Sequence, residues 1–253
     1  MGNDTNVVHF VGAGPGAEDL ITMRGARLLN RADVVIYTGS LVNPMLLEFA
    51  PQAQVYDSAE MKLEEIIDLM EKSVRMGKLV VRLQTGDPSL YGAIREQMDA
   101  LAARGIDYDL CPGVSACFGA AASLNLEYTL PGVSQSLIIT RMAGKTAVPE
   151  RESIESFASH GTTMAIYLSV SMAEELSTRL VEGGYREDTP AAIVYKATWP
   201  EEKTFLCTVG TLAETAREND IRKTALILVG DAIKTGDYER SKLYGLDKDL
   251  YLH

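Results

Sequence analysis

Short apolar runs recur along the chain, and stretches of helical period separate them. VVHFV (7–11), DVVIY (33–37), LVVRL (79–83) and IDYDL (106–110) crowd β-branched and aromatic residues between Gly, Asp and Pro, which predicts strands. Between the second and third runs, Leu63, Ile66, Ile67, Met70 and Val74 recur at helical spacing, with Glu64, Glu65, Glu71 and Lys72 at other positions. That pattern predicts an amphipathic crossover helix. Strands separated by crossovers of this length imply an α/β fold with a largely parallel sheet. A second series follows LEYTLPGVSQ: SLIIT (136–140), TMAIYL (163–168), AAIVY (191–195), TFLCTV (204–209) and ALILVG (225–230). Its expected helices are MAEELSTRLVEGG and TLAETAREND. The Pro131-Gly132 pair is a natural joint, so two α/β lobes are expected, 1–130 and 133–253. The last stretch, 237–253, is charged and aromatic without period, and is expected to be an arm over the second lobe or a neighbouring subunit.

Composition narrows the class. Of 253 residues, 46% are apolar and 23% charged, as in an ordinary globular protein. No run is long enough to span a bilayer and no basic-then-apolar leader opens the chain, so a soluble cytoplasmic protein is expected. Cys111, Cys117 and Cys207 are odd in number and lack C-x-x-C spacing, which suits reduced thiols better than disulfides or a zinc ribbon. His9, His160 and His253 are too scattered to suggest a metal triad. A net charge of −11 argues against a phosphate-tracking surface for RNA or DNA.

Three loops carry the candidate chemistry. The first, FVGAGPGAEDL, follows a strand and satisfies G-x-G-x-x-A through Gly12, Gly14 and Ala17, the outline of a dinucleotide fingerprint. Pro15 disagrees, because it removes an amide where a pyrophosphate needs donors. So does the second strand, which ends in Tyr37-Thr38-Gly39 rather than an acidic residue. A tight turn in which glycines only permit unusual dihedrals explains the same residues. The second loop, LQTGDPSLYG (83–92), places Thr85, Gly86 and Asp87 at a strand's carboxyl end, where open parallel sheets bind ligands. Asp87 followed by Pro88 equally fits a helix N-cap. In the third, CPGVSACFGAAASLN (111–125), Ser115 can cap or touch a ligand, and the small residues after it fit close helix packing equally well.

Taken together, VGAGPGAEDLITMRGARLLNRADVVIY, GDPSLYG, PGVSA, TMAIYLSVS and ALILVGDAI resemble, in order and spacing, the tetrapyrrole methylase family over nearly the whole chain. The resemblance implies two α/β lobes (the tetrapyrrole methylase fold, class III of the S-adenosylmethionine methyltransferases) with the ligand cleft between them, and a homodimer. Cofactor contacts would then fall to Pro15, Thr85, Gly86, Asp87, Leu90, Ser115, Ala116, Leu168, Ala197, Thr224 and Ala225. Two of these depart from the family pattern, which often has Gly at 85 and Met at 168. The cofactor would be S-adenosyl-L-methionine, leaving as S-adenosyl-L-homocysteine. The segment TRMAGKTAVPERE is similar to the branch that methylates precorrin-4 or cobalt-precorrin-4 at ring carbon 11 in cobalamin synthesis, although Lys145 stands where that branch more often has Arg. Other acceptors in the family are uroporphyrinogen III, precorrin-2, precorrin-3 and, in a related branch, a ribosomal RNA ribose. An NAD-linked oxidoreductase is the alternative from another class.

A polycarboxylate macrocycle calls for local cations in so acidic a chain. Arg141, Lys145 and Lys196 are the candidates, with Arg24 a further one. Methyl transfer from a sulfonium to an electron-rich ring carbon needs alignment and exclusion of water more than a nucleophile or a metal. No catalytic residue and no metal ligand is assigned, and neither nucleic acid nor membrane is expected as a partner.

Overall fold

The computed structural model describes residues 6–234 and 238–239. Apart from Tyr238 and Glu239, the expected C-terminal arm lies outside them. By its contacts the chain divides into two units: Met1–Gly119 with Lys196–Glu201, and Ala120–Tyr195 with Glu202–His253.

The first unit contains β1 (Val7–Gly12), α1 (Met23–Arg31), β2 (Val34–Tyr37), β3 (Gln54–Asp57), α2 (Leu63–Arg75), β4 (Val80–Gln84), α3 (Arg95–Ala102) and β5 (Asp107–Cys111). Its sheet has the order β3-β2-β4-β1-β5, with every pair parallel. Alternation then sends Val8, Phe10, Val34 and Ile36 to the face covered by Ile66, Ile67, Met70 and Leu101 of α2 and α3. Val11, Val35, Val81 and Leu83 go to the other face, with Leu29 of α1. Burial on both faces explains why these strands read as continuous apolar runs. The α2 helix forms where its period indicated: Glu65 Oε2 accepts the Lys62 amide at 2.7 Å, Glu64 and Glu65 occupy the first turn, and Lys72 and Arg75 the last.

Two elements depart from the sequence reading. β3 has no counterpart there, because it is a short edge strand whose residues are mostly exposed. The segment after Pro88 is not a helix start: residues 88–91 form a turn, 92–94 are irregular, and α3 begins only at Arg95.

The α4 helix (Ala116–Ser123) crosses the boundary between the units at Gly119 and Ala120. The second unit then adds β6 (Leu137–Arg141), α5 (Ile154–Ala158), β7 (Thr163–Tyr167), α6 (Ala173–Glu182), β8 (Pro190–Tyr195), β9 (Lys203–Thr208), α7 (Leu212–Glu218) and β10 (Ala225–Val229). The sheet order is β6-β7-β10-β8-β9. Only β6 and β7 pair in parallel; β7·β10, β10·β8 and β8·β9 are antiparallel. The parallel pattern of the first half therefore does not extend to this sheet. Met164, Ile166, Ile193, Ile227 and Val229 pack with Leu176, Leu180 and Leu212 of the helices.

Candidate cofactor and substrate site

In the first unit the three glycine-bearing loops leave the carboxyl ends of β4, β1 and β5, which are neighbours in the sheet. They meet backbone to backbone. A Cβ on Gly113 would stand 2.1 Å from the Gly86 carbonyl oxygen, and one on Gly12 would stand 2.6 Å from the Gly113 Cα. Gly14 and Gly86, both at positive φ, exchange two hydrogen bonds, with Gly14 N–H donating at 3.2 Å and Gly86 N–H at 2.8 Å. No side chain fits where these strands of backbone touch.

Asp87 joins the second loop to the third. Its Oδ2 accepts the Gly113 amide at 2.9 Å, while Oδ1 accepts the Ser89 amide at 2.8 Å and the Ser89 hydroxyl at 2.5 Å. Burial pushes this carboxyl upward, but the bonds from Ser89 and Gly113 outweigh it and hold the pKa below the usual value. The N-cap reading of Asp87 therefore fails, since no helix starts here, and the residue clamps two loops instead. Ser115 is buried directly ahead of α4, with Ala116 as the helix's first residue. Thr85 is exposed and Leu90 half-buried on the rim. Below the loops, Arg82 is buried; its Nε donates to Gln97 Oε1 and one terminal nitrogen to the Ile36 carbonyl, each at 3.1 Å. Burial lowers its pKa to about 10.

Residues 196–201 contribute to this same unit. Trp199 Nε1 donates to the Pro15 carbonyl at 3.0 Å, and the Ala17 amide donates to Thr198 Oγ1 at 2.9 Å. Asn43 Nδ2 donates to the Gly16 carbonyl at 2.8 Å. Ala197 is buried between Lys196 (φ 47°) and Thr198 (φ 68°), two non-glycine residues in the left-handed region. Pro15 and Ala197, 182 positions apart, thus belong to one local construction. Lys196 lies 4.9 Å above the Trp199 ring centroid and 3.3 Å from Glu201, which engages this cation within its own loop. Arg24 is exposed on α1.

In the second unit the remaining candidates gather at one edge of the sheet. Arg141 ends β6, Leu168 follows β7, and Thr224-Ala225 opens β10; the β7·β10 register, extended two rungs, brings Ala225 level with Leu168. Leu168 and Thr224 both have φ 55°, and Leu168 is 68% exposed. Ser169 secures this edge by donating to the Tyr167 carbonyl at 2.7 Å and accepting the Met142 amide at 2.9 Å. The Arg141 guanidinium donates to the carbonyls of Met142, Thr146 and Ala147 at 3.0–3.1 Å, so it orders the loop in which Lys145 is exposed.

Sequence reasoning missed Asn43, Trp199, Thr198 and the Gly12–Gly113 contact, all of which act across long sequence separations. The lone tryptophan beside Pro200 was the one available signal.

The cradle fits a cofactor that lacks phosphate. Its first loop offers a rigid apolar turn, and Gln84 Nε2 and Thr38 Oγ1, at the same carboxyl edge, are buried without a protein partner. The strand order also differs from the dinucleotide-binding arrangement, in which β1 lies beside β2. The family described as Tetrapyrrole (Corrin/Porphyrin) Methylases matches residues 7–213. The chain belongs to the tetrapyrrole methylases. Among curated members, the cobalt-precorrin-4 C(11)-methyltransferase of Methanocaldococcus jannaschii is 53% identical over 245 residues, 96% of this chain and 94% of that protein. Among solved tetrapyrrole methylase structures, a cobalamin biosynthetic enzyme, cobalt precorrin-4 methyltransferase, superposes with a TM-score of 0.89 at 44% identity, covering 92% of this chain and 98% of that one. The uroporphyrin-III C-methyl transferase of Thermus thermophilus, complexed with S-adenyl homocysteine, gives a TM-score of 0.76 at 27% identity, with 90% and 93% covered.

Proposed function

We propose that the protein is a C-methyltransferase that moves a methyl group from S-adenosylmethionine to ring carbon 11 of cobalt-precorrin-4 or precorrin-4, in cobalamin synthesis. The observation that carries this reading is the 53% identity to a methyltransferase of that specificity across 96% of the chain. The glycine cradle and the amide-free turn at Pro15 support the cofactor part of it.

When bound, the cofactor supplies an activated methyl group on a sulfonium. Pro15, Thr85, Gly86, Asp87, Leu90, Ser115, Ala116 and Ala197 of the first unit, and Leu168, Thr224 and Ala225 of the second, are the proposed contacts. Asp87 acts there by holding loops two and three at one separation, which fixes the direction of their backbone groups. The left-handed residues Leu168, Lys196 and Thr224 flank or form proposed contacts, as expected where strain is held for binding. Arg141 orders the loop that presents Lys145 to the macrocycle's carboxylates, and Lys196 adds charge beside Trp199.

A thermal-shift comparison tests the cofactor class. S-adenosylhomocysteine at about 100 times its Kd adds about 2.7 kcal/mol and should raise Tm by several degrees, with no shift from NAD or NADP. A shift with NAD alone would contradict the reading. A homodimer and a cytoplasmic location are part of the same proposal; sedimentation as a 27.5 kDa particle would remove the dimer. Among the described residues, no helix is long and apolar enough to cross a membrane.

A further inference from the structure

Trp199 is the chain's one tryptophan, and its place is built in detail. The indole lies against Gly16 so closely that a Cβ there would stand 2.0 Å from Cδ1 and 2.4 Å from Nε1. Its N–H is spent on the Pro15 carbonyl at 3.0 Å. One residue earlier, Thr198 takes the Ala17 amide at 2.9 Å, and its Cγ2 and the Pro15 ring both press on Gly119, where a Cβ would meet Pro15 Cβ at 2.8 Å. The backbone on either side of Ala197 is turned into the left-handed region to reach this position. A segment that only linked two strands would not require a glycine-shaped seat, two specific hydrogen bonds and two strained residues.

We infer that Trp199 is a positioning residue for the cofactor: by locking the Ala197 turn onto the Pro15 loop it makes the two into one rigid clamp, preorganised before binding. This rests on the cofactor reading above.

The test uses the full-length protein, with S-adenosylhomocysteine as the probe. In Trp199→Phe an aromatic ring is kept but the N–H and the five-membered part of the indole that lies on Gly16 are lost, so the clamp loosens. Calorimetry should show binding weakened about tenfold, and KM for S-adenosylmethionine should rise by a similar factor with kcat within about twofold. Gly16→Ala pushes the indole off its seat; emission of Trp199 should move to longer wavelength while binding weakens in step. If either folded variant binds as the unaltered protein does, even with a lower Tm, Trp199 is merely structural and the inference falls. Hydrogen exchange on the unaltered protein decides independently of both variants: residues 14–17 and 196–199 should gain protection together on binding, and protection of one segment alone overturns the clamp. Absence of any binding by the unaltered protein would instead overturn the cofactor reading itself.

Discussion

Pro15 decides between two chemistries that share one glycine pattern. A pyrophosphate needs amides at this turn, and proline offers none; its carbonyl is in turn committed to Trp199. The glycines around it are required by contact rather than by flexibility alone. Gly113→Ala forces a methyl group into the Gly86 carbonyl and should lower stability by about 2–3 kcal/mol, seen as a lower urea midpoint with an unchanged slope. An unaltered midpoint would mean that the loops can part without cost. The loops themselves were legible because Gly, Pro and Asp at strand ends mark tight turns in any context. The partner of each residue was not. Asp87 read equally as a cap because its acceptor role depends on Gly113, 26 positions later, and Asn43 gave no local sign of its bond to Gly16.

Elements were legible by the apolar residues they carry rather than by burial, since β5 is mostly exposed and β9 has no buried residue, yet both were still marked. Nine strands carry apolar blocks that place them within a residue or two, whereas β3, exposed at an edge, has only Val55 and Tyr56 to mark it. Strand direction in the second unit was illegible, because β7, β8 and β10 are as apolar as parallel strands while running antiparallel. Cys207, on the edge strand β9, gives this sheet a pH signature. Burial, opposed by a weaker bond to Thr215, raises its pKa from 9.0 to about 11. The folded value exceeds the unfolded one, so stability is complete below about pH 9 and declines as pH rises toward 11, when only the unfolded thiol ionises freely. Between pH 8 and pH 10 the unaltered protein should lose about 1 kcal/mol in urea titrations through this group, after allowing for its partial exposure. Cys207→Ala should lose less over the same interval, and an equal loss would assign the effect elsewhere. Tyr185, pushed to about 12 mainly by burial and further by Asp231, acts only at still higher pH.

For the molecule as a whole, the identity of the acceptor depends on more than the cradle. The same fold serves a cobalt precorrin-4 methyltransferase and a uroporphyrin-III C-methyl transferase, so the fold by itself leaves the macrocycle open. Charge does not choose it either: a net charge of −11 opposes polycarboxylates overall, and the cations proposed to offset it include Lys145, in the loop that Arg141 orders. That loop, TRMAGKTAVPERE, is where the sequence resembled one branch of the family, and the high identity to a C(11)-methyltransferase agrees with it. The assignment of residues 196–201 to the first unit was invisible in the sequence, where KATWPE reads as an ordinary connection between two strands. The most direct measurement is to incubate the purified protein with cobalt-precorrin-4 and S-adenosylmethionine labelled with ¹³C in the methyl group, and to locate the label by NMR. The account predicts a single new methyl group at ring carbon 11. A label at any other ring position, or no transfer to this intermediate alongside efficient transfer to an earlier tetrapyrrole, would contradict it.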